Sequence, residues 1–196
     1  MSAKTIYVFR HGQTDYNAAH RVMGQLDIPL NETGIAQASK LADELVPLHI
    51  QAIYSSPLAR AMQTARIVAD KIGVKIVSND GLMERNIGCL GGHIITITDN
   101  PNEYQMDFRR RKLCMPAKLL NDPDWCPRGG ESRTEHWRRA QRAIMDIAQN
   151  APFDTIAIST HGGVISDMVN MLNIANDTSI GNCSYIKLTF DEKKLR

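Results

Sequence analysis

Short apolar runs alternate with longer amphipathic stretches along most of this chain. Four runs lack polar alternation: Thr5 to Phe9 (TIYVF), Ala52 to Ser56 (AIYSS), Val74 to Val77 (VKIV) and Thr155 to Ser159 (TIAIS). Such runs predict strands of a sheet covered on both faces. A fifth, Ser184 to Phe190 (SYIKLTF), alternates better and predicts an edge or near-edge strand. Helical spacing fills the intervals. Ile35, Ala38, Leu41, Ala42 and Leu45 share one face, with Asn31 or Thr33 as cap. From Ala59 to Ile72, a stripe of Met62, Ala65, Val68, Ala69 and Ile72 ends at Gly73, a natural helix stop. Trp137, Ala140, Ile144, Ile147 and Ala148 repeat the spacing from near Ser132, and a last helix is expected from about Val164 to Leu172. Strands alternating with helices predict an α/β fold with a largely parallel sheet.

The stretch from Gly91 to Arg128 breaks this rhythm. It is rich in Asn, Asp, Pro and basic residues and reads as an excursion, with one short helix expected near Glu103 to Arg111. No repeat or low-complexity tract interrupts the rest. The 196 residues, 43% of them apolar, suffice for one sizeable core, so a single domain over residues 1–196 is expected.

Charge and cysteine usage narrow the function classes. With 23 basic and 21 acidic residues the net charge is +2, which argues against general nucleic-acid binding. The run Arg109-Arg110-Arg111-Lys112 is the local exception; its plainest reading is a solvated face. Cys89, Cys114, Cys126 and Cys183 show neither CxxC spacing nor a disulfide-dense pattern, which favours a reducing cytoplasm. No signal-peptide pattern and no run of membrane-spanning length is present, so no membrane partner is expected.

In open α/β sheets ligands bind beyond the carboxyl ends of the strands, so those positions carry the chemistry. Arg10, His11 and Gly12 follow the first strand; Ser55, Ser56, Pro57 and then Arg60 follow the second. Glu84 and Arg85 lie beyond the third, and His161, Gly162 and Gly163 follow the fourth. Each histidine precedes a glycine, which is expected to let the backbone approach a ligand closely. Arginine forks suit phosphate oxygens, and a neutral imidazole beside them suits a phosphoryl acceptor. Nearby guanidinium charge keeps such an imidazole neutral. Glu84 is the available carboxyl to protonate the leaving oxygen; a phosphoryl dianion beside it favours the protonated form. The same carboxylate could then activate water, with Arg10, Arg60 and His161 meeting the charge of the transferring group.

Singly, each residue has a plainer reading: a hydrogen-bonded turn histidine, a capping arginine, a surface glutamate. Only their joint placement favours a site. His20, His49, His93 and His136 are expected on the surface, although His93 follows the Gly91-Gly92 pair near the site. The pairs Gly91-Gly92 and Gly129-Gly130 read as turns. No HExxH, zinc-spaced Cys/His set, GxSxG elbow, P-loop or GxGxxG after the first strand competes.

Taken in order, the motifs resemble the histidine phosphatase superfamily, the phosphoglycerate mutase-like proteins. RHGQTDYN (Arg10 to Asn17) resembles the RHGxTxxN motif, and GQLDIPLNETGIAQA (Gly24 to Ala38) resembles the stretch after it. SSPLARAMQTA (Ser55 to Ala65), GLMERNIG (Gly81 to Gly88), RGGES (Arg128 to Ser132), STHGG (Ser159 to Gly163) and NCSYIKL (Asn182 to Leu188) match later hallmarks. The resemblance implies a three-layer α/β/α sandwich with a mostly parallel central sheet. It implies His11 as the phosphorylated nucleophile and Glu84 as proton donor. Arg10, Arg60 and His161 would bind the phosphoryl group, with Asn17 and the Gly162 amide as helpers. No metal is implied. Two departures stand out: Gly91 occupies a position where an acid is usual, and Pro127 precedes Arg128 instead of opening the PGGES motif.

Mutases of this family carry a longer insertion after the acid loop, with paired arginines gripping the substrate carboxylate. Arg110-Arg111 followed by Pro116 loosely resembles that pair, so Arg110 and Arg111 are candidate substrate-binding residues. The shorter excursion, expected over the active site, favours hydrolysis of a small phosphorylated metabolite by a monomer or homodimer without a cofactor. The alternatives are a phosphoglycerate mutase primed by 2,3-bisphosphoglycerate and a non-catalytic binding member.

Overall fold

The run TIYVF lies inside β1 (Lys4–Arg10), which pairs in parallel with β7 (Thr155–Thr160) and antiparallel with β8 (Tyr185–Asp191). This is a computed structural model, and it describes residues 3–100, 105–107, 109–173, 180–191 and 194–196. Outward from β7 lie β2 (Ala52–Ser55) and β3 (Lys75–Ser78), and outward from β8 lies β9 (Lys194–Leu195). The six-stranded order is therefore β3-β2-β7-β1-β8-β9, parallel from β3 to β1.

Alternation along β1 sorts its side chains into two cores. Tyr7 and Phe9 pack with Leu41, Ala42 and Leu45 of α2 (Glu32–Leu45) and with Ala65, Val68 and Ala69 of α3 (Ala59–Ile72). Ile6 and Val8 point the other way, onto Ala140, Ile144 and Ile147 of α5 (Arg133–Asn150) and Val164, Ile165 and Met168 of α6 (Gly162–Met171). Each fully buried aliphatic side chain favours folding by roughly 1.5–3 kcal/mol, so runs apolar at every position settle where helices cover both faces. The result is the three-layer α/β/α sandwich with a mostly parallel central sheet that the resemblance implies.

Caps fix where the helices begin. Asn31 caps α2 through the Gly34 amide, and Ser132 with Glu135 forms a capping box on α5. A short helix α1 (Asp15–Ala18) starts at a second box, Thr14 with Asn17. Ile35 leaves the expected apolar face of α2 and is half exposed, its place taken by Gly34. The third predicted strand is not doubly covered either. As β3 it forms the sheet edge, where Lys75, Val77 and Ser78 are exposed. The fifth becomes β8, next to the edge.

The excursion differs most from expectation. The β-branched run Ile94–Thr98 forms β4, parallel to β6 (Lys112–Pro116), and β5 (Gln105–Asp107) runs antiparallel to β6. The helix expected near Glu103 to Arg111 is therefore replaced by strand and turn at its described positions; Glu103, Tyr104 and Phe108 lie outside the described residues. Pairing of Met106 with Leu113 outweighs local helix spacing here. The short helix comes later, as α4 (Ala117–Asn121). Leu90, Leu113 and Met115 form a third, smaller core with Ile87, Ile95 and Trp125. No helix among the described residues is long and apolar enough to cross a membrane.

Candidate active site

At the carboxyl end of β1 the His11 amide bonds to the Thr160 carbonyl at 3.1 Å, so the histidine leaves the sheet alongside β7. Its ring is 2% exposed. Gly12 comes next, but not to clear a path for a ligand as the sequence suggested. A Cβ at Gly12 would stand 2.5 Å from the Gly34 carbonyl oxygen, so the glycine lets β1 pass the start of α2. Thr64 accepts the Gly12 amide at 3.0 Å and ties this turn to α3.

The His11 tautomer is set by its neighbours. Nδ1 lies 2.7 Å from the Gly12 carbonyl oxygen, which can only accept, so Nδ1 carries the proton and Nε2 is bare. Arg60 Nε donates to that bare nitrogen at 3.2 Å. Arg60 is itself wholly buried, its other nitrogens donating to the carbonyls of Leu26 (2.8 Å) and Gly24 (2.7 Å). Burial, and then the Arg60 charge, pull the His11 pKa down to about 3. Burial also lowers Arg60, to about 10, which leaves it a cation at neutral pH.

His161 caps β7 with its ring centroid 5.3 Å from that of His11. Its Nε2 meets Ser56 Oγ at 2.8 Å, and its buried Nδ1 has no protein partner. Burial and the Arg60 charge push its pKa well below the usual histidine value. Arg10 donates through Nη1 to the Ile180 carbonyl at 2.6 Å, while its buried Nε is also without a protein partner. The Arg10 guanidinium packs against Gly162, where a Cβ would stand 3.3 Å from Nε.

Glu84 reaches the same place from the loop after β3. Its Oε1 accepts the Arg85 amide at 2.9 Å and its Oε2 accepts the Gly163 amide at 3.0 Å. A side chain at Gly163 would collide with this carboxylate. Arg139 of α5 holds the loop by donating to the carbonyls of Gly81 (3.0 Å), Met83 (3.0 Å) and Glu84 (3.2 Å), and to Glu131 at 2.6 Å. Glu131 in turn accepts the Asn86 amide at 2.8 Å, which explains the acid in RGGES.

Arg10, His11, Arg60, Glu84, Gly162 and Gly163 thus line one cleft of about 340 Å³, with Met23, Gly24, Ser166 and Ile180 completing its wall. Asn17 sits beside the cleft. Its Oδ1 accepts from the Thr14 amide (3.1 Å) and the Asn182 amide group (3.4 Å), and Asn182 also donates to the His11 carbonyl at 3.0 Å. Arg110 and Arg111 are not among the lining residues. Arg110 is exposed beside Asp107, and Arg111 turns toward Gly92 and Tyr16.

His136 corrects the sequence reading: it is 1% exposed, not a surface residue. It occupies an apolar-face position of α5, one residue before Trp137 and four before Ala140. That spacing was the available signal. His20 and His49 are exposed, and His93 is half-buried with Nδ1 at 3.2 Å from the Leu90 and Gly91 carbonyls. Arg139, Ser56, Thr64 and Asn182 were missed as site supports because each acts through a partner remote in sequence.

The neutral histidines make stability depend on pH. In the unfolded chain His11 gains its proton near pH 6.5, whereas in the fold it stays neutral down to about pH 3. The unfolded state binds more protons across that window. This contribution is complete above about pH 6.5 and falls as the pH drops toward 3; His161 adds the same sign. In thermal unfolding, the loss of Tm from pH 7 to pH 5 is expected to be smaller for His11→Gln than for the wild type. Equal losses would contradict a buried neutral His11.

A concave site at the strand ends, with a bare imidazole nitrogen between guanidinium groups and a carboxyl beside them, suits an enzyme of phosphoryl transfer. The chain belongs to the histidine phosphatase superfamily (branch 1), whose sequence profile matches residues 6–196. It is 34% identical over 166 residues to phosphoglycerate mutase-like protein 4 of Arabidopsis thaliana, covering 83% of this chain and 68% of that one. To the probable phosphoglycerate mutase GpmB of Yersinia pestis it is 31% identical over 192 residues, covering 95% and 85%. Among solved structures, the mycobacterial glucosyl-3-phosphoglycerate phosphatase in complex with VO3 superposes with a TM-score of 0.74 at 28% identity, covering 94% and 92%.

Proposed function

We propose that this protein is a phosphatase that hydrolyses a small phosphomonoester through a phosphohistidine on His11. The observation that carries this reading is the bare Nε2 of His11, fixed by the Gly12 carbonyl on Nδ1 and facing Arg60. As Arg60 Nε turns from Nε2 to a phosphoryl oxygen, the freed lone pair attacks phosphorus while Glu84 gives its proton to the leaving oxygen. Arg10, Arg60 and His161 take the charge of the transferring group, with Asn17 and the Gly162 amide in support. Arg10 Nε is a buried donor without a protein partner, which a phosphoryl oxygen supplies, and His161 Nδ1 can donate to a second oxygen when Ser56 donates to Nε2. Water then attacks the phosphohistidine, Glu84 takes its proton, and phosphate leaves with the catalyst restored. No metal or organic cofactor has a step in this scheme. The four cysteines are free, in keeping with a reducing, cytoplasmic setting.

The relatives named as mutases favour a second reading, phosphoglycerate interconversion primed by 2,3-bisphosphoglycerate. Hydrolysis is preferred because Arg110 and Arg111, the candidate carboxylate clamp, stand off the cleft wall. Purified protein is expected to release phosphate from p-nitrophenyl phosphate and small phosphomonoesters. With 3-phosphoglycerate and 2,3-bisphosphoglycerate it should interconvert the isomers more slowly than it hydrolyses them. Rapid mutase turnover with negligible hydrolysis would overturn the proposal.

A further inference from the structure

The buried His136 has no part in the proposed hydrolysis, yet it touches the proton donor. Its Nε2 lies 3.7 Å from Glu84 Oε1 and its Nδ1 lies 3.3 Å from Asp167 Oδ2. Arg133 Nη2 holds the other Asp167 oxygen at 3.3 Å. The three groups come from separate places, the loop after β3, α5 and α6, and they form a carboxylate–imidazole–carboxylate row. Asp167 and Arg133 also line a second, open cleft, of which Glu84 is not a lining residue.

Asp167 accepts from Nδ1, so Nδ1 carries a proton and neutral His136 turns a bare Nε2 toward Glu84. A carboxylate facing an imidazole lone pair is repulsive. A protonated carboxyl donating to Nε2, or an imidazolium donating to the carboxylate, is attractive. One proton between Oε1 and Nε2 removes the conflict once the pair closes from 3.7 Å to hydrogen-bond distance. The Arg85 amide occupies only one lone pair of Oε1, which leaves the other for this contact. Nε2 has no hydrogen-bond partner in the protein, and a buried orphan nitrogen is costly.

We propose that His136 is a positioning residue that shares and retains the proton of Glu84. The inference rests on the proposed role of Glu84 as proton donor. As the leaving oxygen takes the shared proton, its bond to phosphorus breaks and the bond from His11 Nε2 forms. The attacking water later returns a proton to the Glu84–His136 pair as the P–N bond breaks. Between turnovers the proton has two facing acceptors, Glu84 Oε1 and His136 Nε2, in place of one. The charged and titratable groups facing His136 are Glu84 from the loop, Asp167 from α6, Arg133 through Asp167, and the neutral His161 at the head of α6.

The experiment combines kinetics with a measurement that needs no turnover. For His136→Phe, the basic limb of log(kcat/KM) against pH on an alkyl phosphate should move at least about one unit to lower pH. The loss in kcat on the alkyl phosphate should exceed that on p-nitrophenyl phosphate by about 10-fold, because nitrophenolate leaves with little need of a proton. Asp167→Asn, a second variant that spares the ring, should shift the limb the same way by less. A uniform loss on both substrates with an unmoved limb would mark His136 as structural only and overturn the proposal. In 15N spectra, the midpoint of the His136 Nε2 signal should move to lower pH in Glu84→Ala; an unchanged midpoint overturns shared protonation. If the wild type hydrolyses no phosphomonoester, the phosphatase reading fails, and the 15N comparison still decides whether the pair shares a proton.

Discussion

Replacing His11 with alanine is expected to abolish formation of an acid-labile phosphoprotein and to cut phosphatase turnover by at least about 10⁴-fold. The size reflects the contribution of the ring. Its Nε2 is the bare nitrogen on the cleft floor, held neutral by burial and by Arg60, with Nδ1 locked on the Gly12 carbonyl. Ring orientation and tautomer are therefore set before substrate arrives. His161 is a poor substitute, since it is wholly buried and is not among the residues lining the cleft. Briefly mixing the wild type with a ³²P-labelled ester and quenching in base should trap label on the protein. Treatment with acid should release it. Quenched His11→Ala should carry none, and turnover near the wild-type rate in that variant would exclude a phosphohistidine on His11.

The candidate site was legible in the sequence because its residues follow the strand ends. Arg10, His11, Arg60, Glu84 and the His161-Gly162-Gly163 turn could be placed from the residues just beyond each apolar run; the sandwich brings all but His161 to the wall of one cleft and sets the buried His161 ring beside His11. The roles of the glycines were not legible. Gly12 faces the Gly34 carbonyl and Gly163 faces Glu84, contacts between segments that no local pattern announces. His136 was missed although its place on the apolar stripe of α5 signalled burial, because the carboxylates that face its ring, Glu84 and Asp167, come from other elements. The excursion was misread because Ile94–Thr98 and Gln105–Asp107 become strands only by pairing with Lys112–Pro116. Isolated short strands are marginal, so nonlocal pairing decided that segment.

Glu84→Gln is the second large effect, and it separates the two halves of the reaction. Both carboxylate oxygens accept backbone N–H groups, from Arg85 and from Gly163, so an amide must turn its NH₂ toward one of these donors. The variant thus loses the transferable proton and one hydrogen bond together. For alkyl phosphates, whose alkoxide needs a proton to leave, kcat is expected to fall by about 10²–10⁴-fold. With p-nitrophenyl phosphate the first step needs little acid, and phosphorylation of His11 should persist. Hydrolysis of the phosphohistidine still needs the carboxylate to take a proton from water, so that step should become limiting. Rapid mixing should then show a burst of about one nitrophenolate per site, a slow steady state, and phosphoprotein accumulating to match the burst. Arg139→Gln, which frees the carbonyls of Gly81 and Met83 without removing the carboxyl, should slow both steps and give no burst. An Arg139→Gln profile identical to that of Glu84→Gln would mean that loop position, rather than the proton on Glu84, divides the reaction.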